Sequence, residues 1–76
     1  MRVQVYTKPG CPLCEDAIDL LDEAKGRMSL VWDEVNIYDT PELFERYRYR
    51  VPVIRVGDSD VLELKFTLDD LVKALS

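Results

Sequence analysis

Cys11 and Cys14 are the only thiols in the 76-residue chain, and they stand three residues apart in Cys11-Pro12-Leu13-Cys14. A pair at this spacing can cycle between dithiol and disulfide, supply half of a four-cysteine metal site, or be incidental. A bridge between them closes so little chain that its effect on stability falls well below that of a bridge around ~15 residues. Stability is therefore a poor reason for the pair, and reactivity becomes the question. The chain has no His, which removes Ser-His and Cys-His catalysis and every metal site that depends on imidazole. A zinc ion or iron–sulfur cluster held by these cysteines would need a second copy of the chain to complete it.

The thiols straddle a predicted helix start that follows directly on a strand and a turn. Residues 2–6 alternate as a strand with Val3 and Val5 apolar, and Thr7-Lys8-Pro9-Gly10 makes a turn. From Pro12 to about Gly26, the residues Leu13, Ala17, Leu20, Leu21, Ala24 and Met28 recur at helical spacing. Glu15, Asp16, Asp19, Asp22 and Glu23 occupy the other side as a solvated acidic face. With Cys11 as N-cap and Pro12 at the first helical position, the Cys11 sulfur meets unpaired backbone N–H groups at the positive end of the helix dipole. Both favour the nucleophilic thiolate, and Lys8 adds a cation. Glu15 and Asp16 oppose this but are screened by water. The Cys11 thiol is thus expected well below the ~8.5 of a free thiol. Cys14, at i+3, lies on the same helical side and can reach back to close a disulfide.

Beyond this unit, residues 29–37 read as a second strand with Leu30, Trp32, Val35 and Ile37 as burial candidates, the register being irregular around Asp33-Glu34. Thr40 caps a short helix carrying Leu43, Phe44 and Tyr47. Residues 53–56 and 61–64 form a hairpin around Gly57-Asp58-Ser59-Asp60, and Thr67 caps a last helix with Leu68, Leu71, Val72 and Leu75 inward. The order is β-α-β-α-β-β-α, a single α/β domain over residues 1–76, with a parallel first pair of strands and an antiparallel hairpin. Arg46, Arg48 and Arg50 interleave with Tyr47 and Tyr49. Three arginines on a chain of net charge −5 make a weak nucleic-acid footprint. A solvated helix end with Tyr47 in the core is the plainer reading. A docking rim of Arg48 or Arg50 with Lys8, facing an anionic substrate, is the functional one. No apolar run suits a membrane span, and no signal-peptide core is present. The expected setting is cytoplasmic, with no nucleic-acid or membrane partner, and the expected state is a monomer.

The segment Tyr6-Thr7-Lys8-Pro9-Gly10-Cys11-Pro12-Leu13-Cys14, the loop Arg50-Val51-Pro52-Val53 and the element order together resemble a glutaredoxin, in the thioredoxin-like group, and most of all its short prokaryotic glutaredoxin-like members. The resemblance implies a three-layer fold on a four-stranded mixed sheet. It implies that Cys11 attacks, Cys14 resolves, and the Val51-Pro52 bond is cis with Val51 pairing to the substrate backbone. Lys8, Pro12, Leu13, Arg50, Val51, Pro52 and Thr67 are the expected substrate contacts. The implied activity is reduction of protein or glutathione mixed disulfides, with no bound cofactor and with glutathione or a reductase as electron source. The chain departs from the family in having Leu13 where an aromatic usually stands. It also has Leu64-Lys65-Phe66-Thr67-Leu68 where a Gly-Gly pair holds glutathione, leaving Thr67 to offer a hydroxyl and a helix N-terminus. A redoxin fed by thioredoxin reductase, a metal or cluster carrier built as a dimer, and a binding module with a redox-sensing pair remain the alternatives.

Overall fold

In the computed structural model, which describes residues 1–76, the chain runs β1 (Arg2–Thr7), α1 (Pro12–Lys25), β2 (Val31–Asn36), a 3₁₀ turn (Ile37–Asp39), α2 (Pro41–Tyr47), β3 (Val53–Val56), β4 (Ser59–Glu63) and α3 (Leu68–Leu75). The four strands make one mixed sheet in the order β2-β1-β3-β4, with β1 parallel to β2 and antiparallel to β3. Period-2 alternation gives β1 two buried faces. Val3 and Val5, with Ile54 of β3, point to the side covered by Leu21 and Ala24 of α1 and Leu71 and Leu75 of α3. Tyr6, with Val53 of β3, points to the other side and packs with Ile37, Tyr47 of α2, Val51 and Cys14. Both clusters belong to a sheet sandwiched between helices, so the central strands bury apolar side chains on both faces, Val3, Val5 and Ile54 on one and Tyr6 and Val53 on the other.

The irregular register expected at Asp33-Glu34 has the same origin. In β2 Trp32 pairs with Val3 and Val35 with Tyr6, so one contributes to each core and no single face carries the apolar set. The strand also ends one residue earlier than expected, because Ile37 is drawn fully into the second core as the chain enters the 3₁₀ turn. The hairpin is tighter than its polar run suggests. Gly57 at φ +60° and Asp58 form a two-residue turn, and β4 begins at Ser59, with Asp60 paired to Arg55.

That early start serves a cluster beneath α2. The Tyr47 hydroxyl donates to the Asp60 carboxylate at 3.2 Å, and Arg55 donates to both of them at 3.0 Å. Arg50 adds bonds to Asp60 at 3.1 Å and to Glu63 at 3.2 Å. Burial pushes the Asp60 carboxyl up, but the hydrogen bonds from Arg50, Tyr47 and Arg55 outweigh it and hold the group below the ordinary carboxylate range. The network ties the end of α2 to the hairpin and so fixes the segment between them, which carries Val51 and Pro52. No helix of the structure is long and apolar enough to cross a membrane.

Candidate redox site

Gly10, at φ +67°, turns the chain from β1 into α1, a conformation that costs glycine little. Cys11 then takes the N-cap with extended φ and ψ, and its sulfur accepts a hydrogen bond from the Cys14 N–H at 3.2 Å. Pro12 occupies the first turn. The two cysteines are joined as a disulfide with their Cα atoms 5.2 Å apart. Cys14 is 4% exposed and packs in the second core, while Cys11 is half-buried at the surface. One sulfur is therefore presented to a partner and the other is withheld behind it.

Around Cys11 lies an open groove of about 400 Å³ whose walls include Lys8, Pro12, Leu13, Arg48, Tyr49, Val51 and Leu64. The Lys8 ammonium reaches across to the Arg48 carbonyl at 3.4 Å. The Arg48 guanidinium stacks over the rings of Phe44 at 4.9 Å and Tyr49 at 4.6 Å. Two cations thus border the groove, and no carboxylate lines it. The Val51-Pro52 bond is cis, as the resemblance implied. The Val51 N–H donates to the Tyr47 carbonyl at 3.2 Å, whereas the Val51 carbonyl accepts no hydrogen bond within the chain. Of the backbone pairing expected at Val51, the acceptor is free and the donor is already engaged. Pro12, Leu13 and Lys8 stand in the groove wall. Pro52 is fully buried behind it.

Two expected contacts are already engaged with neighbouring side chains. Arg50 points away from the sulfur pair because Asp60 and Glu63 of β4 claim its guanidinium, so the basic rim is made by Lys8 and Arg48 alone. Thr67 is committed to a capping box. Its hydroxyl accepts from the Asp70 N–H at 3.1 Å, and its own N–H donates to the Asp70 carboxylate at 2.9 Å. That backbone hydrogen bond from Thr67, followed by the one from its side chain, holds the Asp70 carboxyl below its ordinary value. An incoming carboxylate at this helix start would meet the negative charges of Asp69 and Asp70.

The residue that sequence reasoning passed over is Leu64. It sits just beyond β4 at φ +65°, and its N–H is shared between the carbonyls of Arg50 and Pro52. A non-glycine residue in this left-handed conformation costs about 1–2 kcal/mol. Its 44% exposed side chain stands beside Leu13 in the groove wall. Nothing in a run of Leu-Lys-Phe-Thr announces a left-handed turn, since the usual signals are Gly and Asn.

A four-stranded mixed sheet flanked by helices, with a helix-capping cysteine pair opposite a cis-proline, defines a thioredoxin-like protein equipped for thiol–disulfide exchange. Residues 2–76 match the family model of the glutaredoxin-like domain (DUF836). The chain belongs to that glutaredoxin-like family. It is 28% identical to the Northeast Structural Genomics target protein XcR50 from X. campestris, over 96% of this chain and 93% of that one, with a TM-score of 0.84. It is 35% identical to glutaredoxin from Brucella melitensis, over 96% of this chain and 76% of that one, with a TM-score of 0.63. Thioredoxin 1 from Thermosipho africanus shares the fold at 10% identity, with a TM-score of 0.69 over 99% of this chain and 90% of that one.

Proposed function

We propose that the protein is a dithiol–disulfide oxidoreductase that reduces protein or glutathione mixed disulfides through Cys11 and Cys14. The observation that carries this reading is the asymmetry of the pair, with Cys11 at the groove on a helix N-terminus and Cys14 buried one turn behind. The Cys11 thiolate attacks one sulfur of the substrate disulfide. The substrate S–S bond breaks, a Cys11–substrate disulfide forms, and the other substrate sulfur leaves as a thiolate that takes up a proton. The Cys14 thiolate then attacks the Cys11 sulfur, closing the internal disulfide and expelling the second substrate thiolate. The substrate gains two electrons and the protein dithiol loses two. Thiols of glutathione, or the dithiol of a reductase, restore the reduced pair, so the cycle uses no bound cofactor.

The test is the initial rate of reduction of a small glutathione mixed disulfide with glutathione and glutathione reductase, run beside a peptide disulfide with dithiothreitol. A Cys11→Ser variant serves as control for both. Turnover that depends on Cys11 in either assay supports the proposal, and turnover in the first names glutathione as an electron source. Rates equal to those of Cys11→Ser in both assays sink it.

A further inference from the structure

We infer that the groove selects polypeptide disulfides whose cysteine is flanked by aliphatic residues, in preference to the disulfide of glutathione, and that Leu64 sets this choice. The inference rests on the oxidoreductase reading above and names its substrate class. Leu13 and Leu64 wall the groove over Cys11 and also wall a smaller pocket beside it, lined further by Ala17, Leu20 and Phe66 with Asp16 and Lys65 among them. That pocket holds about 60 Å³. A cavity of ~150 Å³ accommodates benzene, so this one suits an aliphatic tip better than an aromatic ring. The backbone strain at Leu64 points the same way. Glycine would relieve the φ of +65°, yet a leucine stands there with its side chain exposed in the wall of both cavities.

The polar groups fit an extended peptide with an acidic residue. The free Val51 carbonyl accepts a peptide N–H, and Lys8 and Arg48 attract a carboxylate to a groove that holds no acid. Glutathione fits less well. A carboxylate aimed at the start of α3 finds the Thr67 N–H and hydroxyl bonded to Asp70, with Asp69 alongside. The pocket thus accepts an aliphatic side chain, while Asp69 and Asp70 oppose a carboxylate at the start of α3.

The experiment mixes pre-reduced protein with three disulfides and follows its oxidation by acid quench, alkylation and mass spectrometry. Two are symmetric peptide disulfides of equal length, each with one Glu, bearing either Leu or Ser on both sides of the cysteine. The third is glutathione disulfide. The wild type should react about tenfold faster with the Leu peptide than with either other disulfide, the factor expected for burying one aliphatic side chain. In Leu64→Gly and in Leu64→Asn, both compatible with the left-handed backbone, the Leu-to-Ser ratio should fall to about one. The Tm of Leu64→Gly should hold or rise, which separates a lost contact from a damaged fold. A ratio that survives both substitutions overturns the inference, as does a wild type that prefers glutathione disulfide. So does Leu64-dependent dimerisation in sedimentation, which would give the groove to a second copy. Oxidation by all three disulfides at one common rate sinks this inference and leaves the oxidoreductase reading intact. Failure to react with any disulfide sinks both.

Discussion

At Cys11 several local fields meet, and their balance decides how reactive the sulfur is. The N-cap places it beside the N–H groups of the first turn of α1, one of which, that of Cys14, already bonds to it. Lys8 lines the same groove, while Glu15 and Asp16 lie exposed in the opening turns of α1. Exposed carboxylates are screened by water, whereas the Cys14 N–H bonds to the sulfur directly, so the net effect favours the thiolate. Titration of thiolate absorbance in the reduced protein, against Cys11→Ser, should therefore give a midpoint below the ~8.5 of a free thiol. A midpoint at or above that value would mean that the acidic turn outweighs the cap. Cys14 has the opposite character, since it is withheld in the core and acts only on Cys11. Cys14→Ser should accordingly stall after the first attack, and intact-mass spectrometry should find the Cys11–substrate mixed disulfide accumulating. Release of substrate at the wild-type rate would show that Cys14 does not resolve it.

At the scale of elements, the groove depends on the segment between α2 and β3 being held in place, and Asp60 is the anchor that holds it. Its carboxylate takes hydrogen bonds from Tyr47, Arg50 and Arg55. Asp60→Asn leaves those donors less well satisfied and should cost about 1–3 kcal/mol of unfolding free energy. The sign of the pH dependence follows from the depressed carboxyl. The unfolded chain binds its proton near pH ~3.9 while the folded protein still excludes it. Stability from Asp60 is therefore complete above that pH and is lost as pH falls through it toward the folded value. Thermal melts should show a steeper acid loss below about pH 4 in the wild type than in Asp60→Asn. Parallel acid limbs would mean that the network does not hold Asp60 ionised. The element order and the caps at Cys11, Thr40 and Thr67 were legible because local chemistry dictates them, and each cap carries its side-chain bond. Asp60 was not legible. It lies in Gly57-Asp58-Ser59-Asp60, which spells a turn, and its partners are 5 to 13 residues away. The direction of Arg50 was hidden for the same reason, since only the hairpin brings Asp60 and Glu63 to it. Leu64 was hidden because its conformation is imposed by the Arg50 and Pro52 carbonyls and not by its own propensity.

Across the whole molecule, charge is divided unevenly in a way that the net value conceals. The chain carries 15 acidic and 10 basic side chains. Five of the acids line the exposed side of α1, and Arg50 and Arg55 are spent on the hairpin carboxylates. Lys8 and Arg48 border the groove, Arg48 lying also 3.9 Å from the exposed Glu45 carboxylate. The molecule measures 34 × 24 × 16 Å, so the range of the field relative to these dimensions decides which charges an approaching substrate feels. At 0.01 M salt the Debye length is ~30 Å, and an acidic peptide disulfide meets the repulsion of the full net charge of −5. At 0.15 M the length shrinks to ~8 Å, distant acids fade, and the groove cations dominate the last approach. At 1 M it is ~3 Å, and their attraction fades as well. The second-order rate constant for an acidic peptide disulfide should rise from 0.01 to 0.15 M salt and fall again toward 1 M, the fall by about fivefold, given a contact attraction of ~1 kcal/mol in water. Arg48→Ala combined with Lys8→Gln should abolish the falling limb and keep the rising one. A steady fall in the wild type would mean that the groove governs encounter at every range. A steady rise would mean that Lys8 and Arg48 never meet the substrate, and the basic rim would lose its role in docking.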